Sequence, residues 1–139
     1  MHRFAPAIPI VLLLQACGGA DTEAPSTLPA AEMSLSERGR VVFKKCQTCH
    51  TLEEGGRHKV GPNLWAVFGA TAGEAEGFAY SKAMRESGVV WDDASMDAYL
   101  EKPSAYMKGT RMSFVGLRKP EDREAVIAYL YERTDPPAE

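Results

Sequence analysis

The run Cys46-Gln47-Thr48-Cys49-His50 sets two thiols two residues apart and follows them at once with an imidazole. Thiols at that spacing can each add across one of the two vinyl groups on a porphyrin edge, which leaves the adjoining histidine beneath the iron as its proximal ligand. Other uses of a C-x-x-C pair fit less well. A zinc half-site needs a second pair of ligands, and Cys17 and His58 make a poor one. A thioredoxin-like dithiol needs a strand–helix–strand setting that this sequence lacks. A structural disulfide leaves His50 without a purpose. The spacing therefore predicts one haem c, covalently bound through Cys46 and Cys49, with His50 on the metal.

Upstream of the motif, Ser34-Leu35-Ser36-Glu37 has the spacing of a capping box, and predicts a helix running to about Cys49 with Val42, Cys46 and Cys49 on one face. Downstream, Thr51 to Gly77 is punctuated by Gly55, Gly56, Gly61, Gly69, Gly73 and Gly77, with Pro62 as a further breaker. A loop of that length in a small domain usually wraps something. Tyr80 to Glu86 reads as a short helix ended near Gly88. Trp91-Asp92-Asp93 opens another, with Met96, Tyr99 and Leu100 on its inner face and Pro103 as its stop. Tyr106 to Arg118 reads as loop again. Pro120-Glu121-Asp122 starts the last helix, with Val126, Tyr129 and Leu130 facing inward, and Asp135-Pro136-Pro137 ends the fold. No convincing strand alternation and no repeat appear. The expected class is all-α, four to five helices around one covalent haem.

The chain has 139 residues, enough for one domain and a leader, and its 45% hydrophobic and 25% charged content is ordinary for a globular protein. Part of that hydrophobic share lies in the leader, so the core proper is modest, and a buried porphyrin would enlarge it. A net charge of −3 argues against a general nucleic-acid or membrane-binding surface. His2 and Arg3 precede an apolar run, Phe4 to Leu14, broken by Pro6 and Pro9 and far short of the ~20 residues that span a bilayer. Residues 1–16 are therefore read as a signal peptide. Leu14-Gln15-Ala16-Cys17 resembles the lipobox of bacterial lipoproteins, which implies lipidation of Cys17 and a membrane anchor; cleavage after Ala20 would instead release a soluble periplasmic protein. Residues 17–33, small, polar and proline-dotted, are read as a flexible tether, and 34–135 as the domain.

The sixth position on the iron has several candidates: Met33, Met84, Met96, Met107, Met112 and His58. Met33 belongs to the tether, Met96 to a core-like helical face, and His58, between Arg57 and Lys59, reads as a solvated surface residue. Met112 follows Gly109-Thr110 in irregular backbone that can aim a side chain at a metal, with Met107 next in line.

Residues from about Gly39 to Thr134 resemble the mitochondrial-type class I cytochrome c family and its bacterial relatives. The resemblance runs from Cys46 to Thr51 and from Gly55 through Leu64, then through Gly77-Phe78-Ala79-Tyr80-Ser81, Trp91, Tyr99-Leu100 and Gly109 to Phe114, and closes at Ile127-Ala128-Tyr129-Leu130. It implies Met112 as the axial methionine opposite His50, and the Pro62 carbonyl as acceptor for the second ring nitrogen of His50. It further implies Tyr80 and Trp91 as propionate partners, Tyr99 and Thr110 as polar groups behind the methionine, and Phe114 beside the exposed haem edge. Three positions depart from the pattern: Ala70 replaces an arginine near a propionate, Met84 an asparagine of a buried water network, and Lys108 a proline.

The resemblance implies a monomeric carrier of single electrons, not an enzyme, between a quinol-oxidising cytochrome complex and a terminal oxidase or reductase in a respiratory or photosynthetic chain. Partners would dock on a ring of cations, here including Lys45, Lys108 and Arg111, although Ser104 and Ala105 stand where lysines are usual. A haem peroxidase-like enzyme is the alternative, and it requires Met112 to leave the iron.

Overall fold

The Ser34 hydroxyl accepts the Glu37 amide at 3.1 Å while the Glu37 carboxylate accepts the Ser34 amide at 2.8 Å, so the first helix starts with its open donors satisfied. This start lies almost at the edge of the described structure, a computed structural model that covers residues 33–134. Cys17, the signal peptide, most of the tether and Asp135-Pro136-Pro137 lie outside those residues. Five helices follow in order: α1 (Leu35–Phe43), α2 (Lys82–Arg85), α3 (Asp93–Glu101), α4 (Pro103–Tyr106) and α5 (Pro120–Thr134). The only β pairing among the described residues is an isolated bridge between Thr71 and Val90. The all-α class holds, and among the described residues no helix is long and apolar enough to cross a membrane.

Regular α1 ends six residues before the expected Cys49. From Lys44 to Cys46 the amides reach back three residues, Lys44 to Val41, Lys45 to Val42 and Cys46 to Phe43, and the motif itself mixes three- and four-residue returns, Gln47 to Phe43, Cys49 to Cys46 and His50 to Cys46, so the regular helix gives way to successive turns. Val42 and Phe43 are buried, and the two cysteines follow half-buried.

Helices α1 and α5 cross closely because residue 39 is glycine. A Cβ there would overlap the Ala125 carbonyl and lie 2.6 Å from the Tyr129 Cβ. Overpacking of this kind costs about 1–3 kcal/mol or more, so only glycine permits the approach. Phe43 then meets Tyr129 with ring centroids 5.5 Å apart. Pro120 at the head of α5 and the acids Glu121 and Asp122 suit a helix start. Val126 and Leu130 are buried as expected, and so is Arg123, a charged residue on the same stripe.

Asp92 caps α3 by accepting the Ser95 amide at 2.7 Å, and Met96, Tyr99 and Leu100 turn inward. Pro103 does more than stop α3. With its ring fixed at a helix-compatible φ, it also opens the single turn of α4, which the sequence reading missed. α2 is shorter than its expected span because Ser81, accepting the Met84 amide at 3.1 Å, caps it later.

The glycine-rich segment between α1 and α2 is loop, as expected, but His58 within it is not a solvated residue. It is half-buried. Its Nδ1 accepts the Asn63 amide at 2.9 Å and its Nε2 donates to the Glu76 carbonyl at 2.7 Å. A neutral imidazole can accept at one nitrogen and donate at the other, so His58 joins two distant parts of the loop that would otherwise leave polar backbone unpaired. Its ring also stands edge-on to Phe78, with centroids 5.4 Å apart.

Candidate haem centre

The winding after α1 carries Cys46 and Cys49 as free thiols. Burial pushes the Cys46 thiol up to about 11, and the nearby Lys45 only partly opposes this. A thiol held protonated is a poor zinc ligand and a poor disulfide-exchange nucleophile. Among the described residues no cluster of histidine, cysteine and carboxylate side chains could complete a metal site with this pair.

His50 sits at the end of the motif, half-buried. Its Nδ1 lies 2.7 Å from the Pro62 carbonyl. A carbonyl can only accept, so Nδ1 carries the proton and Nε2 keeps its lone pair for a metal. Burial chiefly, with the Lys59 charge, lowers the imidazole's proton affinity below its usual range, against the opposing pull of the Pro62 carbonyl; the neutral, ligating form is favoured. Gly61 makes the geometry possible. A Cβ there would lie 2.7 Å from Nε2 and 2.8 Å from Nδ1, inside the ring's own contact distance.

The loop that brings Pro62 to His50 is fastened to the motif at several points. Gly61 donates to the Cys49 carbonyl at 2.8 Å, Leu64 to Thr51 at 2.9 Å, and the Lys59 ammonium to the Gln47 carbonyl at 2.8 Å. Asn63, which the sequence reading did not single out, donates its amide to Thr51 Oγ1 at 2.8 Å and to the Glu53 carbonyl at 3.0 Å, and accepts the Trp65 amide at 2.9 Å. An asparagine directly after a Gly-Pro turn was the available signal, since its side chain readily bonds nearby backbone.

Met112 lies half-buried in a strap of irregular backbone between α4 and α5. The Tyr99 hydroxyl and Thr110 Oγ1 share a hydrogen bond of 2.8 Å, and the Met112 amide donates to Thr110 Oγ1 at 3.3 Å. Burial raises the Tyr99 phenol, with Thr110 opposing, which keeps its proton in place. Met96 and Met107 are 7% and 6% exposed and belong to the packed core, so Met107, the runner-up by sequence, is occupied as filler. Met84 packs partly against the same core. Phe114 is half-buried two residues beyond Met112, and the next residue, Val115, is 88% exposed.

Trp91 is buried against Tyr99, with ring centroids 5.1 Å apart. Tyr80 is half-buried and meets Phe78 edge-on at 4.8 Å. Residue 70 is tied to Trp91 through backbone, the Trp91 amide donating to the Ala70 carbonyl at 3.0 Å. Lys45, Lys108 and Arg111 are all exposed. From Lys102 to Pro120 the chain holds five cations and no acid: Lys102, Lys108, Arg111, Arg118 and Lys119. A cavity of about 330 Å³ lies beside His50, lined also by Phe43, Tyr129 and Arg133. Neither the cysteines nor Met112 line it.

These residues fit a covalently held haem c: free thiols at the right spacing, and an imidazole with one nitrogen committed and the other open. The family described as Cytochrome c matches residues 36–133. The chain is 49% identical over 110 residues to a cytochrome c of Chlamydomonas reinhardtii, covering 78% of this chain and 98% of that protein. It is 47% identical over 99 residues to cytochrome c2 of Afifella marina, covering 69% and 80%. It is 42% identical over 112 residues to a cytochrome c homolog of Rickettsia felis, covering 80% and 64%. With its fold, its thiol pair and these likenesses agreeing, the chain belongs to the cytochrome c family and carries a single haem c bound through Cys46 and Cys49.

Proposed function

We propose that this protein is a periplasmic, lipid-anchored carrier that passes single electrons from a quinol-oxidising cytochrome complex to a terminal oxidase or reductase, with His50 and Met112 as its axial ligands. The haem, when bound, supplies the one-electron Fe(II)/Fe(III) couple. The observation that carries the reading is the 2.7 Å bond from His50 Nδ1 to the Pro62 carbonyl, which leaves only Nε2 to face a metal. The protein's part is to keep its ligands still: the Pro62 bond holds the imidazole, and the Tyr99–Thr110 pair holds the backbone next to Met112. A histidine–methionine pair fills both axial positions and favours electron transfer over the binding of oxygen or peroxide. No observation favours the peroxidase-like alternative. In ferric protein a sulfur-to-iron absorption band at the red end of the spectrum is the expected signature. Met112→Ala abolishes it and admits added ligands; a variant that keeps the band removes Met112 from the iron.

Several finer points of the reading have their own support. Ala70, next to Trp91, leaves the propionate side without the arginine that the family usually has there, and a missing positive charge favours the oxidised haem. The potential is therefore expected below that of the mitochondrial protein, though positive. In a redox titration Ala70→Arg should raise it by on the order of tens of millivolts, because the added charge disfavours the more positive state; an unchanged or lower value contradicts this.

Lys45, Lys108 and Arg111 are exposed, and with the acid-free stretch around the Met112 strap they supply cations for transient acidic redox partners. Turnover with such a partner should slow as salt rises, and a flat response counts against the docking role. Cys17 carries the anchor in this reading, on the strength of Leu14-Gln15-Ala16-Cys17. Mass spectrometry of the native N-terminus should find a lipidated Cys17; an unmodified terminus beyond residue 17 leaves a soluble periplasmic protein.

A further inference from the structure

Met112 belongs to a strap, residues 107–117, whose two ends are fastened to α3. At the near end Tyr99 bonds Thr110 at 2.8 Å, and the Thr110 amide returns to the Met107 carbonyl at 3.1 Å. At the far end the Leu117 amide donates to the Leu100 carbonyl at 2.8 Å. Gly116 there, with φ +99°, passes so close to the Glu101 carbonyl that no side chain would fit. Between the fastenings, Arg111, Ser113 and Val115 are exposed, and the strap's own bonds are Met112 to Thr110 Oγ1 at 3.3 Å and Phe114 to the Met112 carbonyl at 3.0 Å.

The far end has one more fastening, and it comes from another helix. Arg123 of α5 donates from Nη1 to the Leu117 carbonyl at 3.0 Å and to the Arg118 carbonyl at 3.2 Å, while its Nε donates to Asp97 of α3 at 2.7 Å. Its side chain is 9% exposed, that of Asp97 42%. A planar guanidinium bonds in several fixed directions at once, so it can hold two successive carbonyls and a carboxylate together; an ammonium cannot reproduce that fork. Closing the strap gives this buried charge its two carbonyl acceptors, and opening the far end leaves it with Asp97 alone.

We propose that Arg123 is a positioning residue for the axial methionine: by gripping the Leu117 and Arg118 carbonyls against Asp97, it holds the Met112 strap closed over the iron. The proposal rests on Met112 being the sixth ligand. A merely structural Arg123 would join α3 to α5 and affect stability alone. A strap clasp also sets the fraction of folded molecules in which the strap is open, and a competing ligand reports that fraction directly, because it binds only the open form.

The test is titration of the ferric holoprotein with imidazole, following loss of the sulfur-to-iron band. Arg123→Lys is expected to bind imidazole about tenfold more tightly, equivalent to ~1.4 kcal/mol less closing free energy. Asp97→Asn, which keeps the guanidinium and its carbonyl bonds but weakens its third partner, should show roughly a threefold gain by the same reasoning. Lys82→Ala, in the exposed pair with Glu86 on α2, should show none. If Arg123→Lys yields no folded holoprotein, the half-exposed Asp97 variant decides. Affinities within about twofold of the unaltered protein overturn the proposal, whatever the variants do to the melting midpoint. Absence of the band from the unaltered protein is a separate result, which removes the Met112 ligation and the clasp with it.

Discussion

One hydrogen bond, from His50 Nδ1 to the Pro62 carbonyl, governs the proximal half of this molecule. It decides the imidazole's tautomer, its orientation and which nitrogen is left for iron. Much nearby serves to bring that carbonyl into place. Gly61 removes the side chain that would strike the ring, the Gly61 and Leu64 amides tie the loop to the residues around the motif, and Asn63 gathers three further bonds. His58 then secures the same turn to the Glu76 carbonyl, so the glycine-rich segment is a bonded framework and not slack chain.

The Met112 strap is built differently. It is irregular backbone, and its fixity comes from the helices it is fastened to. α3 supplies Tyr99, Leu100 and Asp97, and α5 supplies Arg123. α5 is in turn seated against α1 through the gap left at Gly39. The helix that leads into the haem motif and the helix that reaches the methionine strap therefore share one close crossing. With His50 and Met112 as the proposed ligands, this arrangement suits a carrier, since neither would have to move when the charge on the metal changes.

Wherever one residue type does one local job, the sequence was easily read. The capping box at Ser34, the proline start of α5, the inward faces of α3 and α5, and the thiol pair with its histidine all follow from spacing. The early end of α1 could not be read, because a change from regular helix to successive turns over residues 44–50 leaves the residue pattern unchanged. α4 was missed because Pro103 stops one helix and starts another. His58 was misread because its partners, Asn63 and Glu76, stand 5 and 18 residues away, and charged neighbours in sequence hid its half-buried surroundings. Arg123 did leave a sign, a charge on the apolar stripe of α5, but its meaning needs Asp97, which is 26 residues upstream.

The central claim is that a porphyrin is joined by two thioether bonds to Cys46 and Cys49. It is tested most directly by heat-denaturing the purified holoprotein, treating it with acid–acetone, and weighing the peptide that contains residues 46–50. The account predicts that the pigment stays with the chain and that this peptide carries one haem bound through both sulfurs. Extraction of the pigment, leaving a peptide with two free thiols, would contradict it.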